Sequence, residues 1–346
     1  MSEDPPYERL YREAIPSVVS VYVTATPADA DGPRAGGAGS GFVVDANASE
    51  PAAPADPIVV TNQHVVRDAS SVDVRSSAGE WHTGEVVGTD AYTDLAVVAV
   101  GDLPADAAAL AFAEDDPVPG RPVAALGTPL GLEGSISRGI VSGANRSMPT
   151  REGFAIPDTV QTDAPINPGN SGGPLVTFDP AAGPEEDLGV EVVGVNRARG
   201  GDNIGFAVSA AVARRVVPAL RADGRYHHPY LRISTIDVSP SVAAANDLPE
   251  TRGVLVADVR LGPSSAALIG CEDTRRVRGQ SVPVGGDVIT AVDGEPVDSH
   301  ESLLRHLLLE REPGEAVEVT LLRDGRELDE RVTLAERPRP GAQFAA

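Results

Sequence analysis

What this sequence can fold into is limited first by how its apolar residues are grouped. They fall in short β-rich runs at Val18–Thr24, Phe42–Val44, Ile58–Thr61, Ser71–Arg75, Gly84–Gly88, Leu95–Val100, Val123–Leu126, Ser137–Ser142 and Val190–Val195, punctuated by Gly, Pro or Asp clusters. No helical pattern of the parallel-sheet type separates these runs, so the spacing predicts antiparallel barrels. A helix closes the region. Ser209 is placed to cap it, Val212, Val216, Val217 and Leu220 share one apolar face, and Gly224 stands where a C-terminal cap belongs. Ahead of the first run, Tyr7–Ala14 reads as a short polar helix ending at Pro16, whereas Gly32–Gly41 and Ala46–Pro57 read as loops. After the closing helix, Arg225–Pro229 reads as a hinge. A second block mixes short strands with one helix, Ser302–Glu310, and ends in a hairpin turned by Asp324-Gly325. The expected organisation is an N-terminal segment 1–16, a barrel domain 17–224, a linker 225–229, a second domain 230–337 and a tail 338–346.

Charge narrows the class of partner. The chain of 346 residues carries 28 basic and 51 acidic side chains, a formal charge of −23, and every basic one is Arg. Such a balance repels phosphate, so neither nucleic acid nor an anionic membrane is an expected partner. A hydrophobic fraction of 41% is enough for packed cores, so the acid excess does not signal disorder. In molar salt the Debye length shrinks to about 3 Å, and a dense acidic surface keeps a protein soluble there. Codon bias in a GC-rich genome accounts for Arg in place of Lys but not for the acids, so the chain reads as salt-adapted. Cys271 is the single cysteine, which excludes an intrachain disulfide scaffold. The opening Met1-Ser2-Glu3-Asp4-Pro5-Pro6 places acids and prolines where a signal peptide needs cations and an apolar run. The run Ile15–Val23 is broken by Pro16, Ser17 and Ser20 and falls short of the ~20 residues that span a bilayer. The expectation is a soluble, cytoplasmic protein.

Three segments carry chemistry. In Gly169-Asn170-Ser171-Gly172-Gly173-Pro174, a serine stands among glycines that let a carbonyl approach and let backbone N–H groups face a developing oxyanion. His64 ends the apolar run Ile58–Val60; a lone histidine there is commonly a half-buried core residue. Asp94 precedes the run Leu95–Val98, where an aspartate is commonly a turn or cap residue. Taken together, His64, Asp94 and Ser171 lie 30 and 77 residues apart in an order known for a serine–imidazole–carboxylate triad, and three bland explanations would have to hold at once.

With these motifs the chain resembles the trypsin-like serine endopeptidases of the Deg/HtrA (Do-like) type. The resemblance also rests on Gly39-Ser40-Gly41-Phe42-Val43-Val44, Leu126 to Leu132, Gly139-Ile140-Val141-Ser142, Thr162 to Pro168 and Asn203 to Val208. It implies a mainly β fold, a chymotrypsin/trypsin-like pair of six-stranded barrels followed by an α+β PDZ domain. It further implies Ser171 as nucleophile, His64 as general base and Asp94 as its orienting carboxylate. The N–H groups of Gly169 and Ser171, with Asn170 as a further donor, form the implied oxyanion hole. Pro165, Ile166, Asn167, Ile204, Gly205, Phe206 and Ala207 line the implied specificity pocket. Pro165 stands six before Ser171, where trypsin-type enzymes place an acid, so cleavage after small or medium apolar residues is expected. Asn170 cannot pair with a freed N-terminus, so control is expected to be conformational. In the second domain, Gly286 to Gly294 carries the PDZ resemblance, and Tyr230-Leu231-Arg232-Ile233 matches the loop that receives a peptide C-terminus. Arg232 replaces a common Gly, and Gly270–Pro283, bearing Arg275, Arg276 and Arg278, looks inserted. The resemblance implies a homotrimer packed through Tyr7 and Tyr11, unfolded or damaged proteins as substrates, and no cofactor. The rival reading is a chaperone or PDZ-based peptide-binding protein with an idle triad. No metal site is expected: His227 and His228 are adjacent, and His300 and His306 lie off the i, i+4 spacing of a zinc helix.

Overall fold

A computed structural model describes residues 5–23, 37–45, 56–104, 107–128, 134–150, 154–201, 203–260, 262 and 266–339. Of the sequence features above, residues 1–4 of the opening segment, Thr24 of the first run, 32–36 and 46–55 of the two loops, 129–132 of the Leu126 segment and 340–346 of the tail lie outside the described residues. The chain divides into two compact units, Met1–Tyr226 and His227–Ala346.

The first unit opens with helix α1 (Pro6–Ala14) and then builds a closed barrel. Its strands are β1 (Val18–Tyr22), β2 (Ala38–Asp45), β3 (Pro57–Asn62), β4 (Ser71–Arg75), β5 (Trp81–Asp90) and β6 (Leu95–Val100), in the order β1-β2-β3-β6-β5-β4. Alternation with period two sets the interior. Val19 and Val21, Val72 and Val74, and Ala96, Val98 and Val100 point to one buried cluster, where β-branched side chains suit the pleat. A one-turn helix, α2 (Gln63–Val66), caps the end of β3.

The second barrel uses β7 (Ala111–Phe112), β8 (Pro122–Gly127), β9 (Ser135–Pro149), β10 (Ala155–Thr162), β11 (Pro174–Thr177), β12 (Glu191–Gly201) and β13 (Ile204–Ser209). Pairing of β11 with β12 closes six of these strands, and β7 adds parallel to β12. Four strands, β7, β10, β11 and β13, go beyond the runs expected from grouping. Pro157 and Asp158 interrupt the apolar pattern of β10, and a register shift between Ile156 and Thr159 absorbs them. Likewise β2 begins inside the glycine-rich stretch, at Ala38, because Gly39 and Gly41 pair with Val21 and Val19. Helix α3 (Ala210–Asp223) ends the unit: the Ser209 hydroxyl accepts the Val212 N–H at 3.2 Å, and Gly224 takes φ +72° at the other end.

In the second unit, β15 (Ile233–Asp237), β16 (Val254–Val259), β19 (Val288–Val292), β21 (Ala316–Arg323) and β22 (Arg326–Thr333) form one sheet, with β20 (Glu295–Pro296) beside β19. Short β14 (Pro229–Tyr230) pairs with β23 (Ala335–Glu336), and β17 (Asp273–Val277) pairs with β18 (Gln280–Val284). The inserted-looking segment is thus a hairpin, turned at Arg278-Gly279 with φ of 50° and 85°. Strand β16 feeds both sheet faces. Val254 and Val256 pack toward Leu303 and Leu307 of α5 (His300–Glu310), while Leu255 packs with Val242 and Ala245 of α4 (Pro240–Ala245) and Val282 of the hairpin. Asp287 is fully buried; its carboxylate takes two bonds of 2.8 Å from Arg323 and one of 2.7 Å from the Ile269 N–H. Asp324 and Gly325 turn β21 into β22 with φ of 51° and 73°, the left-handed pair a tight hairpin needs.

His300 joins β15 to α5. Its Nδ1 lies 2.7 Å from Thr235 Oγ1, and its N–H donates to Asp237 at 2.6 Å. Burial holds its pKa below the ordinary 6.5, against the pull of Asp237 and Glu301 and with the help of Arg337. A folded-state pKa below the unfolded one means that the unfolded chain takes up the proton first, so stability falls as pH drops below 6.5. The expected result is a melting temperature that declines on acidification from pH ~7.5 to ~5.5, by less in His300→Gln than in wild type.

Candidate active site

The site lies within the first unit, and each member is delivered by a turn between strands. His64 sits on α2 directly after β3, Asp94 ends the β5–β6 turn, and Ser171 lies between β10 and β11. His64 Nδ1 is 2.7 Å from Asp94 Oδ2, and the His64 N–H donates to Asp94 Oδ1 at 2.9 Å, so one carboxylate holds both the ring and the backbone of the histidine. Asp94 is only 3% exposed and adopts φ 58°, a left-handed conformation unusual for a residue with a side chain.

Its turn is built by Asp90, a residue that spacing alone did not single out. The Asp90 carboxylate accepts from the Tyr92 N–H at 3.3 Å, the Thr93 N–H at 3.1 Å and the Thr93 hydroxyl at 2.6 Å. An aspartate bonding two and three residues ahead is an Asx turn, and Asp90-Xaa-Tyr92-Thr93 is its local signal. Asn62 and Gln63 then donate to the Asp94 carbonyl at 3.0 and 3.1 Å, locking the turn to the end of β3.

The serine loop is tied to the first barrel through Ser40 on β2. The Ser40 N–H donates to the Ser171 carbonyl at 2.8 Å, and its hydroxyl donates to the Gly169 carbonyl at 2.6 Å. Gly172, at φ +86°, has no room for a side chain: a Cβ there would lie 2.1 Å from the Ser40 carbonyl and 2.3 Å from Thr61 Oγ1. Among the described residues the N–H groups of Gly169 and Ser171 have no acceptor, which leaves them open to an anion. Asn170 differs from expectation. Its N–H donates to the Asn167 carbonyl at 3.0 Å in the turn, and its buried side-chain oxygen faces the Ser135 hydroxyl at 3.4 Å.

Ser171 itself points elsewhere than His64. Its hydroxyl donates to the backbone carbonyl of Arg197 at 2.9 Å, and the Arg197 Nε donates to Asp94 Oδ2 at 2.7 Å. Arg197 carried no signal in the sequence.

Of the residues expected to line a pocket, Pro165, Asn167 and Ile204 are exposed, Phe206 is half-buried and Gly205 is buried. Ala207 is fully buried in the core of the second barrel, in the same apolar cluster as Ile166, which is 3% exposed. Ile166 lies against Gly205, where a Cβ would meet its Cδ1 at 2.8 Å. In the second unit, Leu231 is also in the core, Tyr230 is half-buried on β14, and Ile233 starts the sheet's edge strand β15. Arg232 takes φ 59°, the backbone conformation that favours glycine, and its carbonyl accepts the Arg260 N–H at 2.8 Å. On α1, the Tyr7 ring packs edge-on against Phe178 at 5.0 Å, and the Tyr11 hydroxyl donates to Gly134 at 3.4 Å.

Comparison with known proteins gives a consistent picture. Residues 39–183 match the trypsin-like peptidase domain, and residues 187–334 match the PDZ domain. A putative serine protease HhoA of Synechocystis sp. is 35% identical over 326 residues, covering 89% of this chain and 73% of the relative. Probable periplasmic serine endoproteases, DegP-like, of Halomonas elongata and Rhizobium meliloti are each 35% identical, over 87% and 94% of this chain and 56% and 59% of their own length. The chain thus spans little more than half the length of these DegP-like relatives. Among solved structures, an HtrA-type protease AlgW with tripeptide superposes with a TM-score of 0.71 at 26% identity, covering 96% of this chain and 98% of that one. The serine endoprotease from Yersinia pestis gives 0.62 at 28%, with the same coverage. The relatives also correct one expectation. The DegP-like ones are named periplasmic, which points to the periplasm and overturns the cytoplasmic location drawn from the acidic opening residues.

The glycine frame has a direct test. Gly172→Ala drives a Cβ into a backbone oxygen at a left-handed position, and a loss of about 2–4 kcal/mol in unfolding free energy is expected, measured by denaturant titration.

Proposed function

Because the chain belongs to the HtrA-type serine proteases, which join a trypsin-like peptidase domain to a PDZ domain, we propose that it is an endopeptidase hydrolysing peptide bonds in unfolded or damaged proteins through Ser171, His64 and Asp94. The bond of 2.7 Å between His64 Nδ1 and a buried Asp94, beside a serine framed by glycines, carries this reading. In the proposed reaction the Ser171 hydroxyl turns from the Arg197 carbonyl to His64 Nε2. His64 takes the proton as Oγ attacks the carbonyl carbon, then gives it to the departing amine; water and the same base release the acyl group. Asp94 holds the Nδ1–H tautomer and offsets the charge of the imidazolium. The free N–H groups of Gly169 and Ser171 receive the oxyanion, each such donor being worth about 10²–10³ in rate.

The second unit takes the C-terminus of a peptide in this reading, at Tyr230–Ile233 and along the open edge of β15. A homotrimer packed through the α1 segment and a requirement for molar salt complete the proposal; sedimentation in molar salt checks the first. Casein digestion checks the rest: wild type digests in molar KCl and loses activity in dilute buffer, and Ser171→Ala does not digest. Equal digestion by both proteins would remove Ser171 from the mechanism. If neither digests but aggregation is suppressed, the chaperone reading gains.

Specificity rests on Ile166. Its side chain, 3% exposed, packs against Gly205, and in this reading cleavage follows small or medium apolar residues. In a peptide-library cleavage profile, Ile166→Ala is expected to shift preference toward Leu and Phe by about tenfold, the scale of a few methylenes in an apolar pocket.

A further inference from the structure

Arg197 touches both ends of the proposed triad. Its backbone carbonyl accepts the Ser171 hydroxyl at 2.9 Å, and its side-chain Nε donates to Asp94 Oδ2 at 2.7 Å, the oxygen that also faces His64 Nδ1. The guanidinium is well placed to stay there. It is 20% exposed, and its second nitrogen lies 3.8 Å from the Sδ of Met148, itself 4% exposed. The backbone at this point departs from regular pairing, with a register shift between Asn196 and Ala198. That irregularity aims the carbonyl of residue 197 at the serine rather than into a ladder bond.

Each contact opposes the proposed chemistry in its own way. A hydroxyl that gives its proton to a carbonyl is not presenting it to a base, and among the described residues Ser171 and His64 share no hydrogen bond. A guanidinium on Asp94 Oδ2 neutralises the charge that would stabilise an imidazolium, and it adds a like charge beside the ring. The two effects are mechanically linked, since the ion pair anchors the residue whose carbonyl holds the serine.

We propose that Arg197 is a positioning residue that restrains the triad, holding Ser171 away from His64 while it occupies the Asp94 carboxylate. This rests on the protease reading above. The site passes to its productive arrangement when residue 197 moves and its carbonyl releases the serine.

The test uses the full chain in molar salt, a peptide amide substrate and a fluorophosphonate probe. The probe forms an Oγ–P bond at Ser171 as fluoride leaves and the hydroxyl proton passes to His64. Arg197→Ala is expected to raise kcat about tenfold, the scale of removing a partly screened like charge, with KM little changed and probe labelling accelerated to match. Arg197→Lys keeps the positive charge and is expected to stay close to wild type. A melting curve shows whether each variant is folded; Arg197→Gln, which removes the charge with a smaller loss of volume, replaces Ala if Ala unfolds. Unchanged or lower kcat in the folded uncharged variant overturns the proposal and leaves the protease reading intact. Labelling of wild type no faster than that of Ser171→Ala overturns both.

Discussion

Two barrels can share one site only if the loop built by the second is pinned to the first, and Ser40 does the pinning. It is fully buried on β2 and bonds the carbonyls on both sides of the Gly169–Ser171 stretch, while its hydroxyl also accepts the Thr128 N–H at 2.8 Å. A single neutral bond of this kind nets about 1 kcal/mol, but removing one partner strands buried polar groups at a cost of about 1–3 kcal/mol each. The tight approach at Gly172 follows from the same seam, since the loop can lie on β2 only without a side chain. Asp90 performs the matching task for the carboxylate, fixing Asp94 through three short-range bonds. The geometry of the site therefore comes from short-range hydrogen bonds within the two turns, to a hydroxyl in one and to the Asp90 carboxylate in the other.

How much of this was legible in the sequence depends on how local each cause is. The first barrel reads directly, because Val19, Val21, Val72 and Val74 alternate without interruption. His64, Asp94 and Ser171 are legible together because each borders a recognisable apolar run or stands within a glycine frame. Strand β10 was hidden by Pro157 and Asp158, which look like a turn until a bulge makes room for them. Four-residue β11 is too short to show a period. Arg197 was invisible for a different reason: it meets Asp94 across 103 positions, and nothing around Asn196-Arg197-Ala198 announces that meeting.

The charge of −23 does not decide the compartment. Acidic opening residues suggested the cytoplasm, whereas the DegP-like relatives are named for the periplasm. A surface that self-repels and resists salting out serves in either place, so composition alone could not decide between them. Cysteine usage does not help, since one thiol closes no intrachain disulfide whatever the redox poise.

Arg9 on α1 gives the lysine-free composition a concrete use. One guanidinium donates to three carbonyl oxygens, those of Ala182 and Gly183 at 3.0 and 2.8 Å and of Glu186 at 2.8 Å. A planar fork satisfies such a cluster in a way that a rotating ammonium does not. The acceptors are uncharged peptide groups, so the attachment depends on direction and short range more than on long-range attraction. Brine weakens attraction between distant point charges most, and leaves contacts of this kind comparatively intact. A helix stitched down by arginine to peptide oxygens is therefore an anchor whose grip is set by shape, and added salt loosens it less than it loosens an exposed ion pair.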